Sequence, residues 1–195
     1  MIALIDYGAG NTASVANALK SINADYKITN SEKDICDSEK IIFPGVGEAG
    51  FTIKKLHLLN LVNLLRIMKK PLLGICVGMQ VMCERSKEGN SAGLGILPGS
   101  TDMFDPSAVK VPHMGWNRVK LLKENVLFNG IKDEIYFYYA NSFYVPLNDY
   151  AIASSSHGLE FSAAVKKDNY YGVQFHPEKS GEAGLKVLNN FIELA

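Results

Sequence analysis

The chain has 195 residues, 47% of them hydrophobic and 21% charged, and its acidic and basic side chains cancel to a formal net charge of +0. That balance suits one domain, residues 1–195, with a substantial core; it excludes a nucleic-acid module built on a basic face and an acidic disordered tail. Three cysteines, Cys36, Cys76 and Cys83, are too few and odd in number for a disulfide framework, which points to a reducing cytoplasm.

Residues 1–6 read as a buried strand with no signal peptide ahead of it, closing on the glycine-rich turn Asp6-Tyr7-Gly8-Ala9-Gly10-Asn11. Gly8 and Gly10 make half of a dinucleotide fingerprint. The third glycine is missing and no acidic residue closes a second strand at the expected distance, so no nucleotide cofactor is expected. Val15, Ala18, Leu19 and Ile22 give residues 12–22 a helical period. Residues 25–28 form a second strand, and Ser31 with Asp34 can cap a short helix. Residues 40–43 form a third strand that runs into Pro44-Gly45-Val46-Gly47, a loop able to turn its amides toward a ligand. Residues 56–68 read as a helix; His57, Asn60, Asn63 and Arg66 interrupt its apolar run, so it is no membrane span, and His57 lies on its surface.

The next strand, Pro71-Leu72-Leu73-Gly74-Ile75, breaks at Gly74-Ile75-Cys76-Val77-Gly78, and residues 79–84 read as the start of a helix. Small residues on either side of a central nucleophile let the chain turn sharply and hold that side chain exposed and strained. A helix N-terminus favours the thiolate, the reactive form. A buried structural cysteine remains the alternative on this stretch alone. Cys83, two helical turns on, faces the core rather than a disulfide partner. Alternating strands and helices to this point imply a parallel sheet flanked by helices.

Beyond Gly89 the pattern changes. Residues 91–99 are loop-like, 101–103 a short strand, and Val111-Pro112-His113-Met114-Gly115-Trp116-Asn117 is poor in regular-structure signal but rich in contact-making side chains. Strands follow at 118–122, 135–139, 143–145, 150–154, 161–165 and 170–175, and His157 falls at a loop tip. The fold class is therefore α/β: an open twisted, mostly parallel sheet flanked by helices, with additional antiparallel strands in the C-terminal half. Leu185, Leu188, Phe191 and Ile192 stripe a C-terminal helix over 181–194.

His176-Pro177-Glu178 follows the last strand. In an extended stretch residues i and i+2 point the same way, so the carboxylate can orient the imidazole. Cys76 and His176 both fall at carboxyl ends of predicted parallel strands, the edge where binding sites of open α/β sheets gather. A thiol, an imidazole and a carboxylate on one edge are the parts of thiol acyl transfer.

Gly74-Ile75-Cys76-Val77-Gly78-Met79-Gln80 together with His176-Pro177-Glu178 resembles the class I glutamine amidotransferases. Within them, Asp6–Asn11, Pro44–Gly47, Pro112-His113-Met114-Gly115-Trp116-Asn117 and Gln174-Phe175-His176-Pro177-Glu178-Lys179-Ser180 resemble the glutaminase subunits of imidazole glycerol phosphate synthases. The resemblance implies a Cys76–His176–Glu178 triad hydrolysing L-glutamine, with Val77 and either Val46 or Gly47 donating to the oxyanion. It implies Gln80, Glu88 and the stretch Asn141, Ser142, Phe143 as glutamine contacts, and no metal or other cofactor. It also implies a (β/α)8 synthase partner, met by Asn11, Met114, Trp116 and Lys179, that takes the ammonia into histidine biosynthesis. Trp116 is read as an exposed anchor, with a core position as the alternative. Asn141-Ser142-Phe143 departs from the family's usual His-Ser-Tyr and removes a titratable group. Rival readings are a paralogous glutaminase serving surface-sugar amination, a thiol hydrolase of peptide-like substrates, and a scaffold with a vestigial site.

Overall fold

The computed structural model describes residues 1–9 and 11–195; Gly10, one of the two glycines of the fingerprint fragment, lies outside the described residues. The parallel half is built first. Strands β1 (Ile2–Ile5), β2 (Tyr26–Thr29), β3 (Lys40–Gly45) and β4 (Leu72–Cys76) alternate with helices α1 (Thr12–Ser21), α2 (Glu32–Asp37), α3 (Ala49–Leu58) and α4 (Leu61–Ile67). All of β1 and β4 is buried, which is why both read as continuous apolar runs rather than alternating ones. Ser31 caps α2 by accepting from the Asp34 amide, as its spacing predicts.

After the one-turn helix α5 (Val77–Gln80) come β5 (Cys83–Ser86), β6 (Ser91–Ala92) and β7 (Leu97–Met103). They are followed by β8 (His113–Leu121), β9 (Ile135–Asn141), β10 (Phe143–Tyr144), β11 (Ala151–His157), β12 (Leu159–Lys167), β13 (Tyr170–Val173) and α6 (Gly181–Leu194). The main sheet runs β2-β1-β3-β4-β13-β12-β11-β8-β9, and a second sheet runs β10-β7-β5-β6. The pairings from β2 to β13 are parallel. Those from β13 to β9 are antiparallel. Strand direction is therefore shared by all but β12 and β8. Helix α1 packs with α6, and α3 with α4 and α5, over a buried core that runs from Ile2 to Phe191. No helix among the described residues is long and apolar enough to cross a membrane.

Several local expectations are corrected. The helix expected over 56–68 is two helices, because Asn60 takes the left-handed conformation (φ 57°) that asparagine tolerates and breaks the run. The helix expected from 79 to 84 stops after one turn. The Val81 and Met82 carbonyls that would carry it on instead accept from Leu94 and Ile96, so the chain enters β5. The stretch 91–99 is not all loop, since β6 and the start of β7 pair with β5. His113 to Asn117, weak in local signal, is strand, held by its ladder to β9. His157 is no loop tip: it ends β11, with its ring stacked on His113 at 4.2 Å.

Candidate active site

β4 delivers Cys76 with φ 53° and ψ −110°, a left-handed conformation that costs a non-glycine residue roughly 1–3 kcal/mol. The flanking glycines make it possible by close approach. A Cβ on Gly74 would lie 2.6 Å from the Gly78 carbonyl, and one on Gly78 would lie 2.1 Å from the Phe43 carbonyl oxygen. Helix α5 thus starts directly against β3. The ladder pairs Gly45 with Cys76, so Val46 and Gly47 emerge beside the nucleophile from the neighbouring strand.

On the other side of β4, β13 places Val173 opposite Ile75, and the chain continues through Gln174 and Phe175 to His176. The His176 amide donates to the Tyr138 carbonyl at 2.8 Å, and Ser180 Oγ donates to the His176 carbonyl at 2.6 Å while accepting from the Tyr138 amide at 2.9 Å. His176-Pro177-Glu178 is not extended as expected. Pro177 opens a 3₁₀ turn over Pro177–Lys179, and that turn, rather than strand alternation, brings His176 Nδ1 to Glu178 Oε1 at 2.8 Å. Both side chains are buried. Burial opposes a charged imidazole, but hydrogen bonds to the Cys76 sulfur and to Glu178, with the charges behind them, outweigh it and push His176 up to about 10. The environment therefore favours the charged imidazolium. Asn11, expected at a partner face, also reaches this carboxylate: its Nδ2 donates to Glu178 Oε1 at 3.3 Å. Glu178 Oε2 is buried without a hydrogen-bond partner among the described residues.

A cleft of about 290 Å³ opens over Cys76 and His176. Val46, Gly47 and Val77 line it, together with Gln80, Glu88, Asn141, Ser142, Phe143, Met114 and Lys179. A larger concavity of about 420 Å³, between Arg66, Leu94 and Tyr170, contains none of these residues. Glu88 sits in a 3₁₀ turn, where its Oε2 accepts from the Ala49 amide at 2.6 Å and caps the N-terminus of α3. Burial raises its carboxyl, a shift the Ala49 amide opposes. The Phe143 carbonyl is not free for a ligand, because Gln80 Nε2 donates to it at 2.7 Å and Asn141 Nδ2 at 2.9 Å. Both hydrogens of the Gln80 amide are engaged, the second on Gln174 Oε1 at 3.0 Å, which leaves Gln80 Oε1 as its available acceptor. Gln174, a residue with no assigned part in the sequence reading, donates Nε2 to Cys76 Sγ at 3.6 Å. The signal was one of register, since the residue after Val173 must fall beside Cys76.

The start of β8, which carries the predicted docking residues Met114 and Trp116, divides by face. His113 is buried between Tyr139 and His157, and burial, with the neighbouring His157, pulls it down to about 4. Met114 and Trp116, on the opposite face of β8, are 65% and 56% exposed, which rules out a core position for the tryptophan. The Tyr138 ring meets Trp116 edge-on at 6.2 Å and carries the Lys179 ammonium 5.8 Å from its centre.

The family model described as glutamine amidotransferase class-I matches residues 3–194. The chain is 43% identical over 195 residues to the imidazole glycerol phosphate synthase subunit HisH of Bacteroides fragilis, covering 99% of each. It is 45% identical over 197 residues to the subunit of the same name from Methanothermobacter thermautotrophicus, covering 100% of this chain and 98% of the relative. In fold it is similar to the structure of PurLQS from Thermotoga maritima, with a TM-score of 0.71 at 21% identity over 98% of this chain and 96% of that one.

Proposed function

The chain belongs to the class I glutamine amidotransferases, and from that membership we propose that it is the glutaminase subunit of an imidazole glycerol phosphate synthase, acting as one domain over residues 1–195. The observation that carries the reading is the cleft itself, which brings the strained Cys76 together with His176, backed by Glu178, and with Val46 and Gly47 just beyond β3, in a chain that matches such subunits end to end.

The chemistry follows from the residues. The Cys76 thiolate attacks the side-chain amide carbon of L-glutamine, and the carbonyl oxygen becomes an oxyanion. Val77, first in α5, offers its amide, and Val46 or Gly47 supplies the second donor; losing one such donor costs about 3–4 kcal/mol of barrier. His176 gives its proton to the departing nitrogen, which leaves as ammonia, and Glu178 with Asn11 keeps the ring oriented. Water then hydrolyses the thioester and glutamate leaves. Glu88 and the free Gln80 Oε1 are acceptors suited to the α-ammonium of glutamine. Asn141, in place of a histidine, keeps a neutral wall there.

Ammonia released at neutral pH is lost to protonation unless an acceptor adjoins the site. The partner is a (β/α)8 synthase subunit, docked over Met114, Trp116 and Lys179, which uses the ammonia to form imidazole glycerol phosphate and an aminoimidazole carboxamide ribotide in histidine biosynthesis. The three free cysteines of this chain, Cys36, Cys76 and Cys83, suit a reducing cytoplasm. The test is glutamate release by the reconstituted pair with the histidine-pathway intermediate present. Release that is lost in Cys76→Ala supports the reading. A pair that releases glutamate but leaves that intermediate untouched moves the protein to another ammonia acceptor, and no release at all overturns the glutaminase assignment.

A further inference from the structure

His176 is not the only group on the Cys76 sulfur. Gln174 is fully buried, and its Nε2 stands 3.6 Å from Sγ. The two ends of an amide look alike, so its orientation has to be argued from its partners. Here one backbone carbonyl decides it. Phe143 O can only accept, so the Gln80 group 2.7 Å away is the NH2. That NH2 also meets Gln174 at 3.0 Å, so the Gln174 atom there is the oxygen, and the end that faces sulfur is a donor.

We propose that Gln174 is a further catalytic residue: its amide N–H holds the Cys76 sulfur as thiolate, and the relay Gln174–Gln80–Phe143 carbonyl keeps that N–H turned toward it. The inference rests on the thiol glutaminase reading above. An amide donor carries no titratable proton, so it favours the thiolate without competing for the proton that His176 handles. It acts a second time when the thioester is hydrolysed. The water oxygen bonds to the acyl carbon, its proton passes to His176, and the carbon–sulfur bond breaks with its electron pair returning to Cys76, where Gln174 stabilises the departing thiolate. Because Gln80 both lines the cleft and sets the Gln174 amide, substrate contact and nucleophile state share one hydrogen-bonded line.

The test is the pH dependence of Cys76 alkylation by iodoacetamide in the whole protein. It is read at the Cys76 peptide by mass spectrometry, because Cys36 is exposed and reacts too. A hydrogen bond to a charged group is strong enough to move the midpoint upward by about one to two pH units when Gln174→Met removes it. Gln174→Glu, which puts a carboxylate against the sulfur, moves it further. Midpoints equal to the wild type in both variants overturn the proposal. Where neither variant folds, the wild-type protein decides: the 15N-labelled Gln174 side-chain amide must titrate with the alkylation midpoint and shift on carboxamidomethylation of Cys76, and an amide indifferent to both overturns it. Alkylation needs no glutamine turnover, so a wild type that alkylates normally but releases no glutamate would instead count against the glutaminase reading.

Discussion

Gly78→Ala sets two physical effects against each other at the turn that presents Cys76. Gly78 lies inside α5, where helix propensity alone would make alanine more stable by about 1 kcal/mol. The new Cβ, however, would fall 2.1 Å from the Phe43 carbonyl oxygen and 3.2 Å from its carbon, where ordinary contact begins at 3.4 Å. The obstacle is backbone in the middle of β3, so the relief has to come from α5 moving away by about 1 Å. Overpacking of this kind costs about 1–3 kcal/mol, and a backbone contact belongs at the upper end, so the clash outweighs propensity. A net loss of about 2 kcal/mol lowers the melting temperature by roughly 4–8 °C in a chain of this size. The functional loss is larger, because Val77 and Gln80 ride on α5; a displacement of about 1 Å in such groups typically costs about 100-fold in rate. Thermal melts and glutaminase kcat/KM, measured with the synthase partner, read both effects. Gly50→Ala in α3 is the control, since its nearest contact is the flexible Glu48 carboxylate at 3.3 Å. A Gly78→Ala protein that melts at or above the wild type with unchanged kcat/KM would refute the reasoning.

Three other outcomes follow from the site. His176 is raised from the ordinary 6.5 to about 10, so its own contribution to stability is complete below 6.5 and is lost as pH climbs through about 10; ring 15N shifts at pH 8 should report an imidazolium in the wild type and a neutral ring in Cys76→Ala, where burial is opposed by Glu178 alone. Glu88→Gln keeps the cap on Ala49 but removes the charge offered to the glutamine ammonium, so KM should rise roughly 10-fold to 100-fold with kcat little changed. A fall in kcat at constant KM would remove Glu88 from substrate binding. Trp116→Ala should leave the melting temperature of the free protein unchanged, because the side chain is exposed, yet weaken the synthase partner by about 30-fold in calorimetry.

Where local chemistry decides structure, the chain was readable. The apolar runs of β1, β3 and β4, the Ser31 cap and the C-terminal stripe of Leu188 and Phe191 all carry their own signal. So did the gathering of Cys76, His176 and Glu178, because nucleophile turn and His-Pro-Glu each follow a parallel strand. What escaped reading depends on partners distant in sequence. Val81 and Met82 look helical until Leu94 and Ile96 claim their carbonyls. His113–Leu121 has little strand propensity around Gly115 and Asn117 and is a strand because β9 lies beside it. Gln174 and Asn11 are unremarkable polar residues whose roles exist only where the fold places them, one against a sulfur and the other against a buried carboxylate.

The arrangement around β9 also links the proposed docking face to the catalytic imidazole. Tyr138 turns two faces to two tasks. Its backbone accepts the His176 amide and donates to Ser180, which holds the His176 carbonyl, so this one residue of β9 braces the His176 backbone on both sides. Its ring lies among Trp116 and Lys179, on the face proposed above for the synthase subunit. Lys179 is in turn the residue after Glu178, inside the same 3₁₀ turn that joins the carboxylate to the imidazole. A partner that covered Trp116 and held Lys179 would therefore press on Tyr138 through its ring and on the 3₁₀ turn through Lys179, the two supports of His176.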